Sequence, residues 1–142
     1  MAEITIDNAR TIIAATIAKG KEMGLKPLSV VVLDAGGHVK AFEREDGAAP
    51  GRFAIAQGKA YGCVMLGMTG SAQMARAEQQ AYFMNAVNGA YGGQVVPVPG
   101  GVLVRGDDGA VIGAVGVTGD TSDNDLEAAL AGITAAGLKG DG

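Results

Sequence analysis

Arg44, Asp46 and Lys59 are the residues whose types and spacing best support chemistry. Arg44 ends a strand-like run, Asp46-Gly47 turns the chain, and Lys59 falls some two turns into the helix that follows, so a folded-back loop lets the three side chains converge. A guanidinium or an ammonium there would hold a carboxylate, and Asp46 would accept a proton. An Arg44–Asp46 ion pair that only pins the turn accounts for the same residues. Gly100 and Gly101 would present backbone N–H groups opposite this cluster and Tyr91 would close one wall, although turn geometry alone also explains the glycines. Cys63 and His38 are the only cysteine and the only histidine. No intrachain disulfide or CxxC site can therefore form, and tetrahedral zinc is hard to assemble.

The elements that must position these residues are legible from apolar spacing. Ile6, Ala9, Ile13 and Ile17 recur at helical intervals until Gly20 and Gly24. Leu28 to Leu33 is a β-branched run, and Asp34 to Gly37 turns it into a second run, His38 to Arg44. Strand alternation puts Val39 and Ala41 on one face and His38, Lys40, Phe42 and Arg44 on the other. Pro50 suits a first helical turn, and Phe53, Ala56, Ala60 and Val64 form the stripe of that helix. Gly67 to Gly70 breaks it; Ser71 caps one further helix carrying Met74, Ala77, Ala81 and Met84. Asn88 to Gly101, rich in glycine and proline, reads as a shaped loop. A second hairpin joins Val102–Arg105 to Val111–Val117, whose Gly113 and Gly116 imply close packing on that face. Ser122 reads as the N-cap of a closing helix through Leu126, Ala129, Leu130 and Ile133, so Ser122→Ala should cost about 1 kcal/mol. The fold class is α+β, a central antiparallel sheet covered by helices, within one domain spanning residues 1–142.

Bulk composition excludes several partners. The net charge of −4 without long runs of one sign gives no footprint for nucleic acid. Glu3, Asp7, Arg10 and Lys19 interrupt any leader-like apolar stretch, and no run suits a membrane span, so a cytoplasmic protein is expected. No GxGxxG fingerprint, Walker loop, CxxCH site or nucleophile elbow occurs. Gly119 to Asp125 opens a helix, but Asp120, Asp123 and Asp125 would repel an anion there, which favours capping.

Three segments carry a family resemblance: Val31 to Gly47 (VVLDAGGHVKAFEREDG), Lys59-Ala60, and Pro99 to Asp125 (PGGVLVRGDDGAVIGAVGVTGDTSDND). Together they resemble the GlcG/HbpS-type heme-binding proteins, which also include the C-terminal domain of PduO-type adenosyltransferases. The resemblance implies an α/β/α-like, profilin-like sandwich, a homo-oligomer and a heme ligand. Cys63, shortly after the Lys-Ala pair, is then the sharpest candidate iron ligand, and His38 the second. A buried space-filling thiol and a solvated turn imidazole explain the same two residues. Met65, Met68, Met74 and Met84 could offer a thioether, but their spacing is also that of core packing.

The leading expectation is non-covalent binding of heme or a related planar cofactor in storage, delivery or sensing. Its pocket would draw on Arg44, Asp46, Lys59, Cys63, His38, Tyr91, Gly100 and Gly101. The alternative is a cofactor-independent lyase or isomerase acting on a small carboxylate, with Arg44 orienting substrate and Asp46 or Lys59 as acid or base. A structural subunit is a third. The small-residue face Ala128 to Gly137 offers a surface for subunit packing.

Overall fold

A computed structural model of the chain describes residues 3–142. Helix α1 (Ile6–Met23) leads into the hairpin β1 (Ser29–Asp34) and β2 (Val39–Arg44). Helices α2 (Arg52–Leu66), α3 (Gly70–Gln79) and α4 (Ala81–Ala90) follow. A second hairpin, β3 (Gly101–Arg105) and β4 (Val111–Thr118), then precedes α5 (Ser122–Ala135) and the short β5 (Lys139–Asp141). The strands form one open antiparallel sheet in the order β2-β1-β4-β3-β5. The expected α+β class, an antiparallel sheet covered by helices, is the one observed.

Alternation along the strands splits the core between the two faces of the sheet. Val30, Val32, Val102, Val104, Val115 and Val117 meet Ile12, Ile13, Ala128, Ala129 and Ile133 of α1 and α5. Val31, Leu33, Leu103 and Ala114 meet Ala56, Ala60 and Cys63 of α2. Gly116 lets α2 lie directly on β4, since a methyl group there would run into the Ala56 carbonyl oxygen. In β2, Ala41 packs against the first cluster and Phe42 against the second, as alternation requires.

Four expectations need correction. The single helix drawn through Met74 and Met84 is two, because the chain bends at Gln80 (φ −141°, ψ 66°) between α3 and α4. Thr69 caps α3, not Ser71, and Thr121 caps α5, not Ser122: their hydroxyls accept from the amides of Ala72 and Asn124. Ser122 is already inside the helix. The strand β5 went unread because Lys139-Gly140-Asp141 carries no apolar alternation; an Arg105–Asp141 ion pair of 3.0 Å holds it to β3. Finally, the small face of α5 is used within the chain. Gly132 faces Ile12 and Thr16 of α1, so Ala128, Ala129 and Gly132 serve this helix pair and offer no partner a surface.

Candidate functional site

Helix α2 carries Lys59 and Cys63 on the stripe that faces the sheet, four residues apart and one turn from Ala56 and Ala60. Both are therefore buried. The Lys59 ammonium leaves the α2 face at the end of β4, where Nζ donates to the Val117 carbonyl at 2.9 Å and to Asp125 Oδ2 at 3.2 Å. Side-chain exposure is 3% for Lys59 and 1% for Asp125. Desolvation lowers the Lys59 pKa and raises that of Asp125, each opposed by the partner's charge. Asp125 Oδ1 accepts the Asp120 amide at 3.0 Å, so the pair is tied into the turn that opens α5.

Lys59 consequently does not meet Arg44 and Asp46. Arg44 is exposed, with Nη1 donating to the Ala48 carbonyl at 3.0 Å, and the exposed Asp46 forms no ion pair among the described residues. The acid–base cluster expected from the sequence is not assembled, which removes the geometric basis for the lyase or isomerase reading. Arg44 and Asp46 do not pin the turn as a pair either. The loop is held instead by Arg44 on Ala48 and by Glu45, whose Oε1 accepts the Leu28 amide at 3.1 Å.

Four of the expected residues do come together, but as a closed seam. A methyl group on Gly100 (φ 105°) would stand 2.8 Å from Lys59 Nζ, and one on Gly101 would stand 2.9 Å from Cys63 Sγ. The loop before β3 thus presses on α2 with nothing between. Cys63 is fully buried, and burial pushes its thiol up to about 12. Gln73 Nε2 lies 3.6 Å from its sulfur. A protonated, enclosed thiol is core and cannot reach an iron ion outside the seam. Met84 is likewise core, at 4% exposure.

His38 lies at the opposite end of the first hairpin from Arg44 and Asp46. The His38 side chain is 82% exposed, with Nδ1 3.4 Å from Asp34 Oδ1. Asp34 also accepts the amides of Gly36 and His38 at 2.9 and 3.0 Å, and the His38 amide bond leads the causes that lower its pKa. The neighbouring Gly37 (φ 86°) lies over α2, where a methyl group would be 3.0 Å from Met65 Cε and 3.3 Å from the Tyr61 ring. Tyr91 packs edge-on against Tyr61, centroid to centroid 6.3 Å, and not across from Arg44.

Sequence reasoning missed Arg52 and Lys26. They line a cleft of about 240 Å³ with Pro27, Gly47, Ala48, Ala49 and Gly119, between the loop after β2 and the turn after β4. Arg52 Nη1 donates to Thr118 Oγ1 at 2.9 Å. One signal for it was available: a cation in the first turn of α2 opposes the helix dipole, and such a placement calls for an explanation.

A family model described as haem degrading protein HbpS-like matches residues 4–134. Among solved structures, the PduOC:heme complex superposes with a TM-score of 0.87 at 20% identity, covering 99% of this chain and 100% of that one. A double mutant of HbpS from Streptomyces reticuli gives 0.79 at 26% identity, over 94% of this chain and 87% of that one. The Klebsiella pneumoniae protein ORFY, of the DUF336 family, gives 0.83 at 25% identity, over 96% and 93%. No curated protein sequence matches the chain. Among the described residues no helix is long and apolar enough to cross a membrane, and no group of three or more His, Cys, Asp or Glu residues could hold a metal ion.

Proposed function

Because this chain belongs to the HbpS-like family, we propose that it binds heme non-covalently, as a single domain working in storage, delivery or sensing. The family match over residues 4–134 carries the reading, and the shared fold of the PduOC:heme complex supports it. Of the donors expected from the sequence, His38 is the most exposed, and the iron is assigned to it. His38 directs Nδ1 towards Asp34, the arrangement that leaves Nε2 as the ligating nitrogen of a histidine held by a carboxylate. Tyr61 and Met65 adjoin that turn, Tyr91 packs behind Tyr61, and the three would supply aromatic and thioether surface for a porphyrin face. Bound iron would supply redox and ligand-exchange chemistry there; the chain's own part is to ligate through His38 and to cover one face of the ring.

The site so drawn is open on the solvent side, and the same proposal includes a second copy of the chain as its cover, in a homo-oligomer. A hemin titration followed at the Soret band tests the reading. Saturable binding is expected, weakened at least tenfold by His38→Ala and unchanged by Cys63→Ala. Absence of saturable binding by the native protein would overturn heme as the ligand. Binding lost with Cys63→Ala but kept with His38→Ala would overturn the ligand assignment. Light scattering at micromolar concentration checks the assembly, and a mass of 14.1 kDa would refute it.

A further inference from the structure

We infer that the cleft between Lys26 and Arg52 is a binding site for a carboxylate group, distinct from the His38 turn. The cleft is lined by two cations and by no acidic side chain. Neither cation forms an ion pair among the described residues. Arg52 spends a single N–H on Thr118 Oγ1, which anchors one end of the guanidinium and leaves its other donors free of protein partners among the described residues. The main-chain amides of Gly47, Ala49 and Gly119, all lining residues, likewise donate to no protein group among the described residues.

A partly buried guanidinium held on one side, an ammonium lining the same cleft and main-chain amides without a protein acceptor favour an anion, and a planar carboxylate accepting two parallel bonds from Arg52 complements them. The nearby acids are engaged by other groups, although the Asp120 carboxylate lies close enough to Lys26 to feel its charge. Glu45 accepts the Leu28 amide, while Asp120 accepts from the amides of Lys26 and Thr121 and from the Asn124 side chain. Asp46 is exposed beside the loop but does not line the cleft. The unfavourable placement of Arg52 at the positive end of α2 is relieved once a carboxylate sits between them.

The carboxylate could belong to a free small acid or to a heme propionate. Six residues of β2 at roughly 3.3 Å each put the cleft end of the hairpin about 20 Å from His38, beyond the reach of the propionates of a heme ligated by that histidine. Succinate and hemin therefore serve as separate probes, with hemin dimethyl ester as the control that lacks carboxylates. Succinate is titrated into the 15N-labelled protein, and the amide signals of Gly47, Ala49 and Gly119 are followed. A saturable shift is expected, with affinity lowered about tenfold or more by Arg52→Gln and less by Lys26→Gln. Lys26 is exposed, so its variant keeps the test open if Arg52→Gln fails to fold.

If succinate does not bind, weakening of hemin by both variants without weakening of its dimethyl ester assigns the cleft to a propionate of a heme not ligated by His38, which upholds this inference and overturns the His38 assignment. No saturable shift with about 50 mM succinate, together with hemin binding indifferent to both variants, overturns it. A protein that binds succinate but no hemin would leave this site standing and remove only the heme reading.

Discussion

Replacing Lys59 by methionine should be among the most damaging single substitutions in this chain, yet replacing its partner as well should undo most of the damage. The reasoning starts from burial: 3% exposure for Lys59 and 1% for Asp125 leave neither charge in contact with water. Lys59→Met keeps the length of the side chain but strands the Asp125 carboxylate, which retains only the Asp120 amide at 3.0 Å. The Val117 carbonyl loses its ammonium donor as well. An uncompensated buried charge of this kind costs about 3–5 kcal/mol. For a chain of this size that corresponds to a fall in Tm of roughly 10–15 °C. Asp125→Leu alone leaves the ammonium on one carbonyl and should cost about as much. The double variant Lys59→Met/Asp125→Leu removes both desolvation penalties and should lie within about 1–2 kcal/mol of the native protein on either side.

Urea unfolding of the four proteins closes the cycle, and its pH dependence adds a sign. The Lys59 pKa is lowered on folding, so its contribution is present above 10.5 and is lost as pH falls through the folded value. The Asp125 pKa is raised on folding, so its contribution is present below 3.8 and is lost as pH rises through the folded value. Between those limits both desolvation costs are present, so the stability of the native protein should rise relative to that of the double variant towards either extreme. A single variant that costs less than about 1 kcal/mol, or a double variant as damaged as the two singles combined, would refute the buried pair.

Thr121→Ala should lower stability by about 1 kcal/mol in the same unfolding assay, whereas Ser122→Ala should change it by less than about 0.5 kcal/mol; the reverse order would contradict the capping geometry. Cys63 should resist a thiol reagent such as dithionitrobenzoate in native buffer and react fully in denaturant, because its thiol is enclosed and raised to about 12. Rapid labelling of the folded protein would refute that enclosure. Asp120, lowered to about 2 first by the Asn124 side chain and then by the Lys26 amide, contributes stability that is present above 3.8 and lost as pH falls through about 2. Asp120→Asn should therefore flatten the acid limb of the unfolding curve measured by circular dichroism, and an unchanged limb would remove Asp120 from it.

The elements were legible wherever burial imposes a period. Ala9 to Ile17, though not the exposed Ile6, the paired hairpin runs and the Phe53 to Val64 stripe contribute to the core on one side or the other of the sheet, and a one-sided apolar face leaves a readable spacing. Where burial does not set the spacing, reading failed. Helix α4 carries Ala81, Tyr82, Phe83, Met84, Ala86 and Val87, yet only Met84 is buried, so apolar composition there did not mark the break at Gln80. Strand β5 is held by an ion pair and by backbone pairing with β3, neither of which leaves an apolar pattern. Thr121 and Ser122 are chemically near-equivalent caps, and the choice between them depends on which residue stays in the extended region, as Thr121 does (φ −68°, ψ 152°).

The candidate site was harder to read for a different physical reason. Sequence spacing predicts which side chains leave the backbone near one another, but the partner that satisfies a buried charge can come from any element. Lys59 was correctly placed on the helix after the loop, and its spacing from Ala56, Ala60 and Cys63 already put it on the buried face. A lysine on such a face must bring an acceptor with it, because an unpaired ammonium there would carry its full desolvation cost. The acid that meets it, Asp125, sits in the first turn of α5, where the helix dipole alone also accounts for an acidic residue. Once that pair has formed, Arg44 and Asp46 have no third member. The cations lining an open cleft are then Lys26 and Arg52, and Arg52 is the one whose position at a helix N-terminus the local electrostatics disfavour. A charge placed against its local preference calls for a physical reason that sequence spacing alone does not supply.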